Sequence, residues 1–386
     1  MTIGTERSAA PPDASARSVA LAVLRSGPMS RADLARRLGL SMASLTRLTR
    51  PMIDSGLLVE HRPEIGNRAG RPSRPLDIHA DHAYFLGIKI TWDALWAVVC
   101  DLKGRVIAAD RSPVTDTSPE AIIAQTSAII DRERRNRSRI AGIGIGVGGT
   151  VQRHRVVQRV PALGWTTEVD LAARLGEMVE LPINVDNDVR ALTQAELWFG
   201  EGRNCSSLVM ITIGVGIGCA IVVDDRLYEG RLGLAAKVDH WTLDPTGPPC
   251  PRGHRGCADV LLTSASIAEQ VGAGLDHPVD FEQVLGLAAA GDPVAGQTVQ
   301  NAAEHLGLLI ARVADVIAPD RILLTGDGID LAIHAEQRLR DSLARHRSTR
   351  SMTDDLRILR TDFYDWARGA AAVAIRRHME TEATVT

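Results

Sequence analysis

Between residues 30 and 53 the chain carries the stop and start signals of two short helices only a few residues apart. Ser30 stands three residues before Asp33 at cap spacing, and Leu34, Ala35 and Leu38 form one apolar face. Gly39 suits the left-handed position just past a helix end, and Ser41 can cap a second helix whose core side is Leu45, Leu48, Met52 and Ile53. So short a turn obliges the two helices to fold back on each other as a helix-turn-helix. An earlier helix from Ser18 carries Val19, Ala20, Val23 and Leu24 and stops at Gly27-Pro28. Pro51, which lacks an amide donor, is predicted to kink or end the helix in which it lies.

The outer side of that helix presents Ser44, Thr46, Arg47 and Arg50. Beyond it, Leu57-Leu58-Val59-Glu60 and Arg74-Pro75-Leu76-Asp77 read as the strands of a wing, around a tip reading Gly66-Asn67-Arg68-Ala69-Gly70-Arg71-Pro72. Net charge supports a nucleic-acid role. The whole chain of 386 residues stands at −3, yet residues 1–75 hold 12 arginines, no lysine and six acids, giving +6. A basic head on an acidic body of −9 is the electrostatic footprint of DNA binding. The candidate DNA-binding residues are Ser41, Ser44, Thr46, Arg47, Arg50, Arg68 and Arg71. Ser44, Thr46 and Arg47 are placed to read bases, Arg50 to meet phosphate, and Arg68 and Arg71 to enter a minor groove. The competing reading is a three-helix unit that docks proteins, with a solvated basic face.

After residue 78 the pattern changes to alternating strands and helices. Residues 84–91, 95–101 and 104–109 read as an antiparallel meander, followed by a helix at 119–134 and a strand at 140–147. A helix at 186–199, a hairpin-like strand pair at 208–223, a long helix at 302–316 and a short buried strand at 322–324 complete the pattern. The expected organisation is a disordered arm at 1–15, a winged helix-turn-helix at 16–78, one α/β lobe at 79–190 and a second at 191–363. A C-terminal helix at 364–380 is expected to return to the first lobe. No apolar run has the length of a membrane span and no signal peptide is visible, so a cytoplasmic protein without membrane contact is expected. Of the five cysteines only Cys250 and Cys257 fall in a loop-like context, which excludes a disulfide framework.

The order of these features resembles the ROK family of repressors, open reading frames and sugar kinases, in its transcription-factor branch. The resemblance rests on the winged helix, the glycine-rich strand end Gly146-Val147-Gly148-Gly149, the pair Asn187-Asp188 heading a helix, and His240 followed by spaced cysteines. It spans about residues 18–378. It implies a two-lobed actin-like, hexokinase-like ATPase-type α/β body with a sugar cleft between the lobes, behind the winged helix-turn-helix. It also implies a DNA-binding regulator, in the first place a repressor, of carbohydrate-related genes. A homodimer or homotetramer of this kind would place two heads on a pseudo-palindromic, double-stranded operator, about 34–36 Å per helical turn apart.

Departures from the family pattern shape the chemistry. Where its kinases carry Asp-x-Gly-Gly-Thr at the first phosphate loop, this chain has Lys89-Ile90-Thr91-Trp92-Asp93. Lysine replaces the acid, and an indole fills space that glycine would leave for phosphate. Gly214-Val215-Gly216-Ile217-Gly218 keeps the glycines of the second loop but has Val215 where threonine is usual, and Thr325-Gly326-Asp327-Gly328 is similar to the adenosine-side loop. No ATP binding and no enzyme activity are therefore expected.

In the effector site the resemblance names Gly148, Gly149, Asn187, Asp188, Lys237, His240 and Asp259. Asp186 or Asp188 could instead merely cap the following helix. Lys237 stands where the family has Glu, Asp259 is one methylene short of its Glu, and Arg190 replaces a frequent Asn. A lysine offers only donors, so the expected effector is a sugar phosphate or sugar acid rather than a neutral sugar. The alternative is a decayed pocket in which Lys237 makes an internal ion pair, leaving a ligand-independent or protein-controlled regulator; a sugar kinase is the third reading. The family's zinc ligands are a histidine and three cysteines. His240, Cys250 and Cys257 match, Arg252 replaces the middle cysteine, and His254 is the candidate fourth ligand. A metal-free loop with two thiols remains the alternative.

Overall fold

The computed structural model describes residues 12–62, 74–348 and 355–382. Three helices open the chain: α1 (Pro12–Ser26), α2 (Arg31–Leu38) and α3 (Met42–Asp54). Helix α1 starts ahead of the expected Ser18, because Pro12 has a φ already suited to a first helical position. Residues 12–15, expected in a disordered arm, are thus helical, while 1–11 lie outside the described residues. Ser30 and Ser41 cap α2 and α3, and Gly39 closes α2 at φ 65°.

Helix α3 does not end at Pro51 but runs three residues further. Pro51 and Arg47 are both exposed, so the carbonyl of Arg47 that loses its amide partner can be met by water. Strands β1 (Leu58–Glu60) and β2 (Leu76–Ile78) pair antiparallel as the base of a wing. The wing tip with Arg68 and Arg71 lies outside the described residues.

The first lobe is built on a five-stranded sheet of β3 (Tyr84–Ile90), β4 (Ala94–Asp101), β5 (Val106–Pro113), β6 (Ile140–Val147) and β10 (Ile183–Asn187), in the spatial order β10-β6-β3-β4-β5. Between β6 and β10 run the small sheet β7 (Thr150–Gln152), β8 (Val156–Arg159) and β9 (Val169–Asp170), then helix α5 (Leu171–Gly176). β3, β6 and β10 are parallel, whereas β4 and β5 form an antiparallel meander.

Two-residue alternation divides β3 between two cores. Leu86, Ile88 and Ile90 join helix α4 (Pro119–Asn136) in one core, and Phe85 joins the opposite one. That opposite face is covered by α13 (Phe363–Glu382).

The second lobe carries β11 (Leu208–Thr212), β12 (Gly218–Val223), β13 (Arg226–Leu227), β14 (Arg321–Thr325) and β15 (Leu356–Ile358), ordered β13-β12-β11-β14-β15. Val209, Ile211, Ile322 and Leu324 pack on the helical layer of α7 (Ala258–Leu262), α8 (Ser264–Leu275), α9 (Phe281–Ala289), α10 (Pro293–Ile317), α11 (Asp330–His334) and α12 (Glu336–His346). Helix α10 begins nine residues before the expected start, at a proline capped by Asp292.

Helix α6 (Asp188–Phe199) joins the halves of the molecule. It packs against α13 and touches both sheets as well as α1. Val19 and Val23 of α1 therefore share one core with Leu192 and Leu197 of α6 and Ile375 of α13. The head is docked onto the body rather than tethered to it. Arg25 pairs with Asp225, and Lys103 reaches Asp77 of the wing at 2.6 Å.

Close approach of α13 to the first sheet requires glycine beneath it. A Cβ at Gly144 would lie 1.8 Å from the Ala370 carbonyl oxygen, and one at Gly87 would lie 2.0 Å from that of Ala367. Gly144→Ala should lower the unfolding free energy in urea by about 3 kcal/mol, an overpacking penalty. Gly176→Ala, where a Cβ meets nothing within 4 Å, should leave stability nearly unchanged.

Candidate functional site

Two regions gather the residues singled out above: the outer face of α3 and a cleft of about 860 Å³ between the lobes. On α3, Thr46, Arg47 and Arg50 are exposed side by side with Met42 and Ala43. The Ser41 hydroxyl accepts from the Ser44 amide at 3.1 Å and so serves the helix cap. Thr46 donates to the Met42 carbonyl and keeps only acceptor capacity. Arg47 has no hydrogen-bond or ion-pair partner among the described residues, and Arg50 makes a loose contact of 3.9 Å with Asp54. Met42 and Ala43 were missed from sequence, although they follow the cap Ser41 directly; exposed apolar groups there suit thymine methyls.

The cleft is lined by Gly148, Gly149, Asn187, Asp188, Lys237, His240 and Asp259, so all the expected effector residues come together. Their chemistry differs from the expectation. Asn187, not Asp186 or Asp188, caps α6: its Oδ1 accepts from the amides of Val189 and Arg190 at 3.1 and 3.2 Å. Its Nδ2 donates to the Gly149 carbonyl at 3.0 Å. The helix starts at Asp188 because Asp186 and Asn187 belong to β10.

Asp188 forms a buried ion pair with Lys89, a residue on the α13-facing side of β3. The ammonium lies 5.2 Å from the centre of the Trp366 ring, which adds a cation–π contact. Lys89 thus neutralises the carboxylate that the family pattern assigns to sugar hydroxyls. Lys237, by contrast, is exposed and has no ion-pair partner among the described residues, so the internal pair of the alternative reading is not formed by Lys237, while Lys89 does form one. Asp93 is likewise engaged, by Arg111 at 2.9 Å and by the Thr91 hydroxyl at 2.8 Å, and these contacts hold its pKa down against burial.

A second buried charge cluster adjoins the cleft through Arg190. Arg190 donates to Asp186 from Nε at 2.6 Å and to the Val151 carbonyl. The other oxygen of Asp186 lies 3.1 Å from His154 Nδ1, a close charge contact without the alignment of a hydrogen bond. His154 Nε2 meets Glu229 of the second lobe at 3.0 Å, and Arg376 of α13 approaches Glu229 at 3.7 Å. Arg153 and His154 are consecutive left-handed residues, φ 52° and 54°, in the β7–β8 turn. That backbone is disfavoured for such side chains and is held by the ionic contacts. Nothing in the sequence periodicity marked His154 or Glu229.

His240, Cys250, His254 and Cys257 also converge, with their ligand atoms all within 4.8 Å of one another. Both sulfurs lie 3.6 Å from His240 Nδ1, and the two imidazoles stack with centroids 4.8 Å apart. Tetrahedral zinc with bonds of about 2.0–2.3 Å separates its ligand atoms by roughly 3.3–3.8 Å. The two sulfur–Nδ1 spacings fall in that range and the widest of the set, up to 4.8 Å, exceeds it by about 1 Å, so the donor types suit the ion and His254 stands where it could take the place that Arg252 cannot fill.

Residues 85–377 match the family described as the ROK family. The chain belongs to the ROK family. The xylose repressor of Bacillus spizizenii is 24% identical over 80% of both chains. The DNA-binding transcriptional repressor Mlc of Escherichia coli is 25% identical over 77% of both. Among solved structures, a ROK family transcriptional regulator described as a homologue of the E. coli Mlc protein superposes with TM-score 0.79 and 26% identity. The match covers 97% of this chain and 98% of that one. The ROK hexokinase of Thermus thermophilus shares the fold, with TM-score 0.67 and 24% identity over 76% of this chain and 99% of its own. Among the described residues no helix is long and apolar enough to cross a membrane.

The His154 cluster generates a pH prediction. Burial alone would lower the His154 pKa, but contact with Asp186 and Glu229 outweighs it and raises it above 6.5. His154 in turn pulls Glu229 down to about 2. The histidine's contribution is complete below pH 6.5 and fades as pH rises through its raised folded value. The glutamate's is complete above pH 4.5 and fades as pH falls toward 2. In urea melts His154→Gln should cost about 3 kcal/mol at pH 6, as for a broken buried charge pair. The gap from wild type should narrow as pH rises above 7; a gap independent of pH would mean that His154 carries no charge in the fold.

Proposed function

We propose that this ROK protein is a DNA-binding transcriptional repressor of carbohydrate-related genes, controlled by an anionic sugar derivative in the inter-lobe cleft. The observation that carries the reading is the continuous core from cleft to head. Asn187 and Asp188 line the cleft at the start of α6, and Leu192 and Leu197 of the same helix pack on α1 of the winged helix. A ligand that favours one lobe arrangement would thereby alter the placing of α3 on DNA. The repressor names of the relatives in Bacillus and Escherichia agree with this assignment.

An anionic effector is supported by three cleft-lining cations, Lys237, Arg159 and Arg252, none with an ion-pair partner among the described residues. Trp92 stands where a phosphate loop would need glycine, and the Val215 amide faces the Asp327 carboxylate rather than an open cradle, so the protein is read as neither a kinase nor an ATP binder. It acts as a homodimer or homotetramer on a pseudo-palindromic operator in the cytoplasm. One observation favours a second reading, a ligand-independent or protein-controlled regulator: Asn187 and Asp188 are already bonded internally.

Selection of genomic fragments by the purified protein at two salt concentrations tests the main reading. A palindrome should survive the higher salt, because phosphate-only binding fades steeply. Arg47→Ala should weaken it about 5- to 150-fold, the loss expected for one base contact. Glucose 6-phosphate or a sugar acid should release the operator at lower concentration than the neutral sugar does. Release by neutral sugars alone overturns the anionic assignment, and DNA binding indifferent to every sugar supports the second reading.

Zinc is proposed as a structural ion held by His240, Cys250, Cys257 and His254, where it would close the loop between β13 and α7. Metal analysis of the purified protein should give one zinc per chain. His254→Ala should release it while Arg252→Ala retains it; absence of zinc from wild type would leave a metal-free thiol loop.

A further inference from the structure

The cleft is larger than a single sugar ring needs, and its two ends differ in character. At one end lie Asn187, Lys237, His240 and Asp259, all able to meet hydroxyls or anions. The other end is drawn together by contacts around the segment 89–93: the Lys89 ammonium lies over the Trp366 ring, Trp96 donates to Thr91 and touches Phe363, and Asp327 accepts from the Val215 amide, with Trp92 and Ile217 flanking these along the chain in the same cleft. Trp92 and Val215 are 63% and 69% exposed, from the β3–β4 turn of one lobe and the β11–β12 turn of the other. The chain has only six tryptophans. Two line this end, and a third, Trp96, backs it through a ring contact of 5.2 Å with Phe363.

The polar groups of this end are spent. Asp327 accepts from the Val215 amide at 3.3 Å, and burial raises its pKa. It comes so close that a Cβ at Gly214 would lie 1.8 Å from its Oδ1. An amide that could cradle a phosphate therefore faces an internal carboxylate. Asp93 is held by Thr91 and Arg111, and Lys89 by Asp188. A group entering here finds apolar and aromatic faces with few donors or acceptors left. Hydroxyls brought in would lose water without gaining partners, whereas an aromatic ring would gain stacking at no such cost.

We propose that this end of the cleft is an aglycone subsite: it takes an uncharged aromatic ring attached to the sugar whose hydroxyls lie at the Asn187 and Lys237 end. The effector class is thus an aryl glycoside or its phosphate, with Trp92 and Val215 closing over the ring from opposite lobes. This rests on the effector reading above and deepens it. Because the two lips belong to different lobes, an aryl group bridges them and favours the closed arrangement directly.

The test uses the full-length protein and matched probes in calorimetric titration: glucose against phenyl β-D-glucoside, and glucose 6-phosphate against phenyl β-D-glucoside 6-phosphate. The aryl member of at least one pair should bind tenfold or more tightly than its parent. 4-Nitrophenyl β-D-glucoside should quench tryptophan fluorescence. In Trp92→Ala and Val215→Ser, both at exposed positions, the tenfold advantage should vanish while the parent's affinity stays within twofold. Equal binding within each pair overturns the subsite while leaving the sugar-effector reading intact; failure of all four probes to bind overturns both. A gain from cellobiose equal to that from the phenyl glycoside overturns the aromatic assignment. Adenosine alone binding as tightly as the glycoside overturns it in favour of a retained nucleoside site.

Discussion

Helix α6 has no face turned to water. Every residue from Asp188 to Trp198 is buried, and three of them are ionisable. A buried charge without a partner costs several kcal/mol, so each of the three must be met by a group from elsewhere in the chain. Asp188 takes Lys89 from the first sheet, Arg190 takes Asp186 from the end of β10, and Glu196 accepts the Glu201 amide with Arg368 of α13 nearby. These pairings fix how the first sheet, α13 and the second lobe meet. Because α1 packs on the apolar residues of the same helix, they also fix where the head sits.

The Lys89–Asp188 pair belongs to the cleft lining. The hexokinase of Thermus thermophilus shares this fold. Here β3 delivers an ammonium to the Asp188 carboxylate at the start of α6. The opposite loop receives the Asp327 carboxylate on the Val215 amide. Opposite charges brought together in a partly dry cleft are strongly held. Both groups are thereby satisfied from within, and the cleft lining that remains includes apolar surface and the cations Lys237, Arg159 and Arg252, which have no ion-pair partner among the described residues.

Much of the local structure could be read from residue order. The Ser30 and Ser41 caps, the Gly39 stop and the alternation along β3 depend on groups within a few residues of one another. The same holds for the convergence of His240 with Cys250 and Cys257, whose spacing is short. Pro51 misled because its effect depends on whether the freed carbonyl meets water, and that is a matter of exposure. Asp186 and Asn187 were assigned to a helix because a cap and a strand end look alike in sequence; the pairing of Asp186 with Gly146 in β6 decides between them.

Residue order therefore determined the winged helix-turn-helix, the two-lobed α/β body and the basic head on an acidic body, while the resemblance to the ROK family supplied the set of residues that meet in the cleft. Periodicity, capping and charge count are local or additive properties. Only the tertiary structure decided which of those residues are free. Lys89 and Asp188 are 99 positions apart. His154 and Glu229 are 75 apart and sit in different lobes. Charge pairing in a buried site depends on distance in space and on the exclusion of water, and neither is encoded in the spacing of the residues along the chain.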